Sequence, residues 1–198
     1  EILQPLPLVI SSTDVDSADC FGTPTGAASV SGISGGNGIT YNFSWQDALG
    51  NNLFQDNDTA FNLLAGTYSV TVSDFKTCSK DTSVTVEEPA VLVANSTGMD
   101  SVSCNGLFDG SASVGTITGG NGDYSYLWDV NTGSQTSDTA IGLGVGTYTV
   151  TVTDQYGCND DTTVTVEEPN PLLIDTAFQD STTCYGINDG FATILVSG

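Results

Sequence analysis

Residues 150–169 read VTVTDQYGCNDDTTVTVEEP, and residues 70–89 read VTVSDFKTCSKDTSVTVEEP. Each stretch holds two runs in which valine alternates with hydroxyl residues. Between the runs lies a polar break with an aspartate and a cysteine, and an acidic pair before proline ends each stretch. Alternation with period two marks a half-buried β-strand, because successive side chains of a strand point to opposite faces. The runs extend upstream: Tyr68, Val70 and Val72 alternate with Thr67, Ser69, Thr71 and Ser73. Tyr148, Val150 and Val152 do the same with Thr147, Thr149, Thr151 and Thr153. Near copies at a fixed distance mean a repeated structural unit, so its period and edges come first.

Tyr68 to Tyr148 and Pro89 to Pro169 are 80 residues apart, as are Cys104 and Cys184, whereas Cys20 and Cys104 are 84 apart. Pro5 precedes Cys20 by the same 15 residues that separate Pro89 from Cys104 and Pro169 from Cys184. Units therefore run 5–88 and 89–168, residues 169–198 begin a further incomplete one, and residues 1–4 read as the last strand of a preceding unit. The extra residues of the first unit fall mainly between Trp45 and Tyr68, which suggests a surface loop. The stretches "GAASV" and "GSASV" put Ala28 with Val30 and Ala112 with Val114 on one strand face. Gly-Asn-Gly precedes an aromatic strand in both units, where positive-φ residues suit a tight connection. "LLAGTY" and "LGVGTY" fit the Leu-x-x-Gly-x-Tyr pattern of a tyrosine corner. About seven short strands per unit and no credible helix predict an all-β chain of tandem immunoglobulin-like β-sandwich repeats of about 80 residues.

The chain has 198 residues, 24 Asp and Glu against two basic residues, Lys76 and Lys80, and a formal net charge of −22. Nucleic acid and anionic membrane surfaces are poor partners for it. With neither His nor Arg, the usual general base, the Ser-His-Asp and Cys-His systems and the forked anion clamp are missing. No apolar run approaches the roughly 18–20 residues of a membrane span. The expectation is a non-enzymatic segment with no catalytic, cofactor-binding or metal residues.

Five cysteines fall two per full unit, with Cys184 opening the third. Pairing Cys20 with Cys78 and Cys104 with Cys158 leaves Cys184 to a partner beyond the chain end. Zinc needs closer ligand spacing, and a catalytic thiol would not recur at every repeat. Disulfides imply an oxidising, extracellular setting.

The ordered pattern is Cys-x-Gly-x-x-x-Gly (Cys20 to Gly26, Cys104 to Gly110, Cys184 to Gly190), then Gly-Gly-Asn-Gly, an aromatic-Trp strand, Leu-x-x-Gly-Thr-Tyr, Val-Thr-Val-x-Asp and the second cysteine. It resembles the SprB repeat, which builds very long cell-surface adhesins of gliding Bacteroidota. Thr25 departs from the pattern where Asp109 and Asp189 stand, and Lys76-Thr77 replaces Tyr156-Gly157. The resemblance implies an exported stalk or filament at the bacterial cell surface, delivered by the type IX secretion route and used in adhesion or gliding motility.

Several residues could carry more than structure. Asp14, Asp16 and Asp19 cluster ahead of Cys20, Asp154, Asp160 and Asp161 flank Cys158, and Glu87-Glu88 and Glu167-Glu168 lie at the junctions. Oxygen-rich loops of this kind could hold Ca2+, although no spacing matches an EF-hand. Trp45, Trp128, Tyr41 and Tyr124 could stack on sugars, but alternating strands more often bury such residues. Asp-Ser/Thr-apolar triplets resemble an O-glycosylation motif of Bacteroidota and make Ser17, Thr59, Ser101, Thr139 and Thr176 candidate attachment sites.

Adjacent units are joined by "VEEPAVLV" or "VEEPNPLL" with no Gly-Ser tether, so neighbouring repeats of the same chain are the expected partners. Units 5–88 and 89–168 carry −8 and −10, which discourages folding back. The sequence thus predicts a rod-like stalk segment of an adhesin. A module that binds glycans or a substratum, or a subunit of a self-assembling fibre, are the alternatives.

Overall fold

The computed structural model describes residues 4–198, so the strand expected within residues 1–4 lies largely outside the described residues. The chain divides into two compact units. The first comprises residues 1–93 together with 118–123 and 153–159, and the second comprises 94–117, 124–152 and 160–198.

The first unit contains β1 (Ser12–Asp16), β2 (Gly26–Ser31), β3 (Tyr41–Gln46), β4 (Thr59–Leu63), β5 (Gly66–Asp74) and β6 (Ser79–Val86). They form two antiparallel three-stranded sheets, β1-β2-β4 and β3-β5-β6. In sandwich terms these are strands A-B-E and C-F-G, which is the immunoglobulin arrangement with strand D absent. The valine alternation explains the packing. Val70 and Val72 of β5, Val84 and Val86 of β6, and Ala28 and Val30 of β2 turn inward around Trp45, with Ala60 and Leu63 closing the core. Trp45 is fully buried, and its indole Nε1 donates to the Asn57 carbonyl at 2.9 Å, which satisfies its polar edge. The tyrosine corner forms as expected, with Tyr68 Oη donating to the Leu64 carbonyl at 2.9 Å.

Six strands stand where about seven were expected, because the connection from β3 to β4 is not a strand. Its Gln55 side chain does a strand's work instead. Nε2 donates to the Phe61 carbonyl at 3.0 Å and Oε1 accepts from the Phe61 N–H at 2.8 Å, occupying backbone groups at the edge of β4. The connection also holds most of the first copy's extra length. Trp45 is 10 residues from Gln55, whereas Trp128 is seven from the equivalent Gln135. Asp47 secures the longer turn by accepting from the Leu49 and Asn51 N–H groups at 2.9 Å each.

The second set of strands repeats the first. It consists of β7 (Val93–Asp100), β8 (Gly110–Thr118), β9 (Ser125–Trp128), β10 (Thr139–Leu143), β11 (Gly146–Thr153) and β12 (Asn159–Val166), with sheet orders β10-β8-β7 and β12-β11-β9. Trp128, Val150, Val164, Val166, Ala112 and Ala140 form its core, Trp128 Nε1 donates to the Ser137 carbonyl, and Tyr148 Oη donates to Gly144. Gln135 brackets Ile141 as Gln55 brackets Phe61. A 3-10 turn at Val130–Thr132, capped by the Asp129 side chain, replaces the Asp47 turn. Last, β13 (Leu173–Asp180) pairs antiparallel with β14 (Phe191–Ser197), the pairing that β1 makes with β2.

Candidate functional site

The features that recur in this chain are built around its cysteines, and they are of two kinds. The first kind lies on the loop from β1 to β2 and its copies. The Thr23 N–H donates to the Cys20 carbonyl, as Leu107 does to Cys104 and Ile187 to Cys184, at 3.1–3.2 Å. The residue before each cysteine is also fixed. Asp109 accepts from the Ser103 N–H at 3.0 Å and from its hydroxyl, and Asp189 accepts from Thr183 in the same way. Thr25, which departs from the pattern, keeps the contact by accepting from the Asp19 N–H at 2.7 Å. The hydrogen bonds from Ser103 and Thr183 hold the Asp109 and Asp189 carboxyls below the usual carboxylate range.

The acidic stop before each proline closes these loops. The carbonyls of Glu87 and Glu167 accept from the N–H groups of Ala18 and Val102. The Glu88 carboxylate accepts from the Gly22 N–H at 2.6 Å, and Glu168 accepts from Gly106 at 3.1 Å. The sequence reading placed these acids at the junctions as oxygen donors that could hold Ca2+ and missed this role. The signal was available in the fixed pairing of Glu-Glu-Pro with Cys-x-Gly.

The second kind of cysteine follows a buried aspartate. Asp74 Oδ1 accepts from the Lys76 and Cys78 N–H groups at 2.8 and 3.0 Å, while Oδ2 accepts from the Asn37 N–H at 2.8 Å and its Nδ2 at 2.9 Å. Asp154 does the same with Tyr156, Cys158 and Asn121. Burial alone would push the Asp74 carboxyl up, but the donors from Asn37, Cys78 and Lys76 outweigh it and hold it at about 2. At Asp154, burial is likewise outweighed by Asn121, Tyr156 and Cys158, and the shift is downward.

The Gly-Gly-Asn-Gly motif makes room for this clamp, since a Cβ on Gly36 would stand 2.8 Å from Asp74 Oδ2 and one on Gly120 3.0 Å from Asp154 Oδ2. A Cβ on Gly35 would stand 2.0 Å from the Pro7 carbonyl oxygen, and one on Gly119 would stand 1.9 Å from that of Val91. Both residues have φ in the left-handed region, so side chain and conformation are excluded together. The loop thereby brings Asn37 or Asn121 onto its aspartate.

The disulfide differs from the sequence expectation. Cys20 is bonded to Cys158, with a Cα separation of 5.6 Å, both residues lying in the first compact unit. Cys78 and Cys104 are free and exposed, as is Cys184. The expected pairs Cys20–Cys78 and Cys104–Cys158 are ruled out by strand length. The Cys20 loop is tied to Glu87 and Glu88, just past the end of β6, whereas Cys78 lies just before that strand begins. Eight residues at about 3.3 Å each put the two ends about 26 Å apart, beyond the roughly 7 Å that a disulfide can span. Cys104 and Cys158 stand in the same relation to the two ends of β12. Asn121 completes the bonded arrangement, with Nδ2 donating to the Asp19 carbonyl at 2.8 Å as well as to Asp154.

The other candidate residues have structural places. Asp160 accepts from the Ala94 N–H and Asp161 from the Thr151 hydroxyl. Among the described residues no group of three or more Asp, Glu, Cys or His is placed to hold a metal ion. Trp45 and Trp128 are core residues, and Tyr41, half-buried, donates to the Gly35 carbonyl at 3.1 Å. Ser17, Ser101 and Thr176 are exposed, and Thr59 and Thr139 are half-buried at the starts of β4 and β10. The apolar members of four Asp-Ser/Thr-apolar triplets, Ala18, Ala60, Val102 and Ala140, are buried. Strand and loop packing thus gives those triplets a structural reason to recur. Every aspartate with a resolved shift is moved downward, so these groups stay anionic through the neutral range, unlike the raised carboxyl of a general acid.

A family model described as "SprB repeat" matches residues 99–133. No curated protein sequence matches the chain. Among solved structures, the three N-terminal domains of the Highly Immunogenic Outer Capsid protein (Hoc) of bacteriophage RB49 are similar at a TM-score of 0.52 and 14% identity. That match covers 96% of this chain and 68% of the Hoc chain. The N-terminal eight immunoglobulin domains of Down Syndrome Cell Adhesion Molecule isoform 1.30.30 match at a TM-score of 0.30 and 14% identity, over 86% of this chain and 26% of theirs. The Hoc likeness bears on fold alone, and the second likeness is too distant to carry an argument. The chain is all-β and immunoglobulin-like, and its similarity to the SprB repeat is confined to residues 99–133. Among the described residues no helix is long and apolar enough to cross a membrane.

Proposed function

We propose that this chain is a structural segment of a bacterial cell-surface adhesin, in which immunoglobulin-like repeats bounded at 5–88, 89–168 and from 169 onward extend a stalk and perform no catalysis. The observation that carries the reading is the threefold recurrence of the cysteine loop at Cys20, Cys104 and Cys184, each with its own aspartate or threonine brace. One of the three is oxidised to a cysteine 138 residues away. A covalent link over such a span suits a part that carries tension, and it suits an oxidising compartment outside the cytoplasm. In this reading the chain is exported by the type IX route and supports adhesion or gliding. The exposed Ser17, Ser101 and Thr176 are the better placed O-glycan acceptors. Glycan binding loses its main support because Trp45 and Trp128 are buried.

Immunogold labelling of intact cells with antibody raised against this chain tests the proposal. Gold along filaments outside the cell, together with loss of attachment or gliding on deletion of the gene, is expected. Label confined to permeabilised cells would overturn it.

A further inference from the structure

We propose that the Cys20–Cys158 bond is one rung of a ladder. The first cysteine of each repeat bonds the second cysteine of the repeat that follows it, and Cys104, Cys184 and Cys78 are half-rungs awaiting partners of the same kind. The inference rests on the repeat reading above and adds a pairing rule to it.

Cys104 is framed like Cys20. Its carbonyl receives the N–H three residues on, the residue before it is held by a braced N–H, and the glycine two residues on is anchored by the glutamate before proline. Cys184 has the same turn and the same brace. Cys78 is framed like Cys158, each following an aspartate clamped by an asparagine.

The asparagines supply an independent sign of what Cys78 lacks. At the bonded site one Nδ2 hydrogen of Asn121 goes to Asp154 and the other to the carbonyl of Asp19, the residue preceding the bonded cysteine. The Cys158 sulfur is then 3.7 Å from Nδ2. At Asn37 one hydrogen goes to Asp74, while the other falls back on the Cys78 sulfur at 3.3 Å, a weak acceptor. The place filled at Asn121 by the carbonyl before a first-kind cysteine is the place that Asn37 keeps for the equivalent carbonyl of a preceding repeat. By the same rule Ser103, which precedes Cys104, presents its carbonyl to the asparagine of a following repeat.

Strand length enforces the rule, since the two cysteines of one repeat lie at opposite ends of β6 or β12 and cannot meet. Each rung forms by thiol–disulfide exchange with a protein disulfide oxidant. One cysteine thiolate attacks the oxidant disulfide to give a mixed disulfide, and the second cysteine displaces it. Two protons and two electrons leave with the oxidant, which departs as a dithiol.

The test extends the full chain by a copy of residues 119–168 after Gly198, which completes the third repeat and supplies its second cysteine. Peptide mapping without reduction, after alkylation of free thiols, is expected to find Cys104 joined to the added cysteine, with Cys78 and Cys184 alkylated. Joining of the added cysteine to Cys184, or an alkylated Cys104 beside an intact Cys20–Cys158 bond, would overturn the rule while leaving the stalk reading to its own cellular test. A second variant needs no added segment. In Cys158→Ala, the four remaining cysteines are expected to be alkylated in full under the same oxidising conditions. A Cys20–Cys78 bond in that variant would show that pairing within a repeat is competent, and the ladder would fall.

Discussion

Breaking the Cys20–Cys158 bond should cost the first compact unit the covalent tie between its distant segments. The bond closes 138 residues of chain. In the chain-entropy model a loop of that length removes about 5 kcal/mol of conformational freedom from the unfolded state, a large share of the 5–15 kcal/mol typical of a domain. Cys20→Ala and Cys158→Ala should each produce this loss, as should reduction of the native chain. Trp45 and Trp128 are both fully buried, so their fluorescence reports unfolding in guanidinium chloride. With slopes of about 3–5 kcal/mol per molar for units of this size, the midpoint should fall by about 1–2 M. Cys78→Ala and Cys104→Ala remove exposed free thiols and should leave the stability within about 0.5 kcal/mol of the parent. A Cys78→Ala loss equal to that of Cys20→Ala, or no loss on reduction, would refute the reasoning.

Three further outcomes follow from the loops. The Asp74 carboxyl is held at about 2, so the stability it contributes is fully present above about pH 4 and is lost as pH falls toward about 2, and Asp154, also lowered, loses its contribution in the same direction. Asp74→Asn should flatten part of that acid limb in urea titrations at stepped pH, and an unchanged limb would contradict the clamp. Gly119→Ala sets a Cβ 1.9 Å from the Val91 carbonyl at a left-handed φ and should destabilise by more than about 1 kcal/mol, with Gly35→Ala behaving alike; calorimetric melting checks both. Thr77 holds a φ of 66° where its counterpart is Gly157. Thr77→Gly should therefore stabilise by about 1 kcal/mol in the same melts, and a loss would mean that Thr77 makes a compensating contact.

Much of this architecture was legible in the residues. Valine alternation placed β5, β6, β11 and β12. Leu-x-x-Gly-x-Tyr placed the tyrosine corners, and the lone tryptophan of each copy marked its core. The seventh strand was over-read because Gln55 and Gln135 cover the sheet edge with an amide, a substitution that leaves no periodic signal. The cysteine pairing was illegible for a plainer reason. Cys78 and Cys158 occupy the same position of successive copies, so spacing alone cannot choose between them as the partner of Cys20. Counting the expected seven strands could have done so, since alternating strand directions put a cysteine before the second strand and one between the last two at opposite ends of a sandwich, and the β3-to-β4 connection keeps that polarity. The Asn–Asp clamp was also overlooked, although Gly-Gly-Asn and Val-x-Asp recur together in both copies. Its meaning lies in a contact across 37 residues in one copy and 33 in the other, beyond any local period.

Pulling a single chain from its two ends in an optical trap, oxidised and then reduced, tests the tension-bearing account most directly. With Cys20 bonded to Cys158, 138 of the 198 residues are held inside the loop, and the fully unfolded chain should reach a length of about 200 Å at about 3.6 Å per free residue. The reduced chain should reach about 700 Å. Equal lengths in the two states would contradict the account. So would an oxidised length of about 300 Å, which corresponds to bonds closing the 58 residues from Cys20 to Cys78 and the 54 from Cys104 to Cys158.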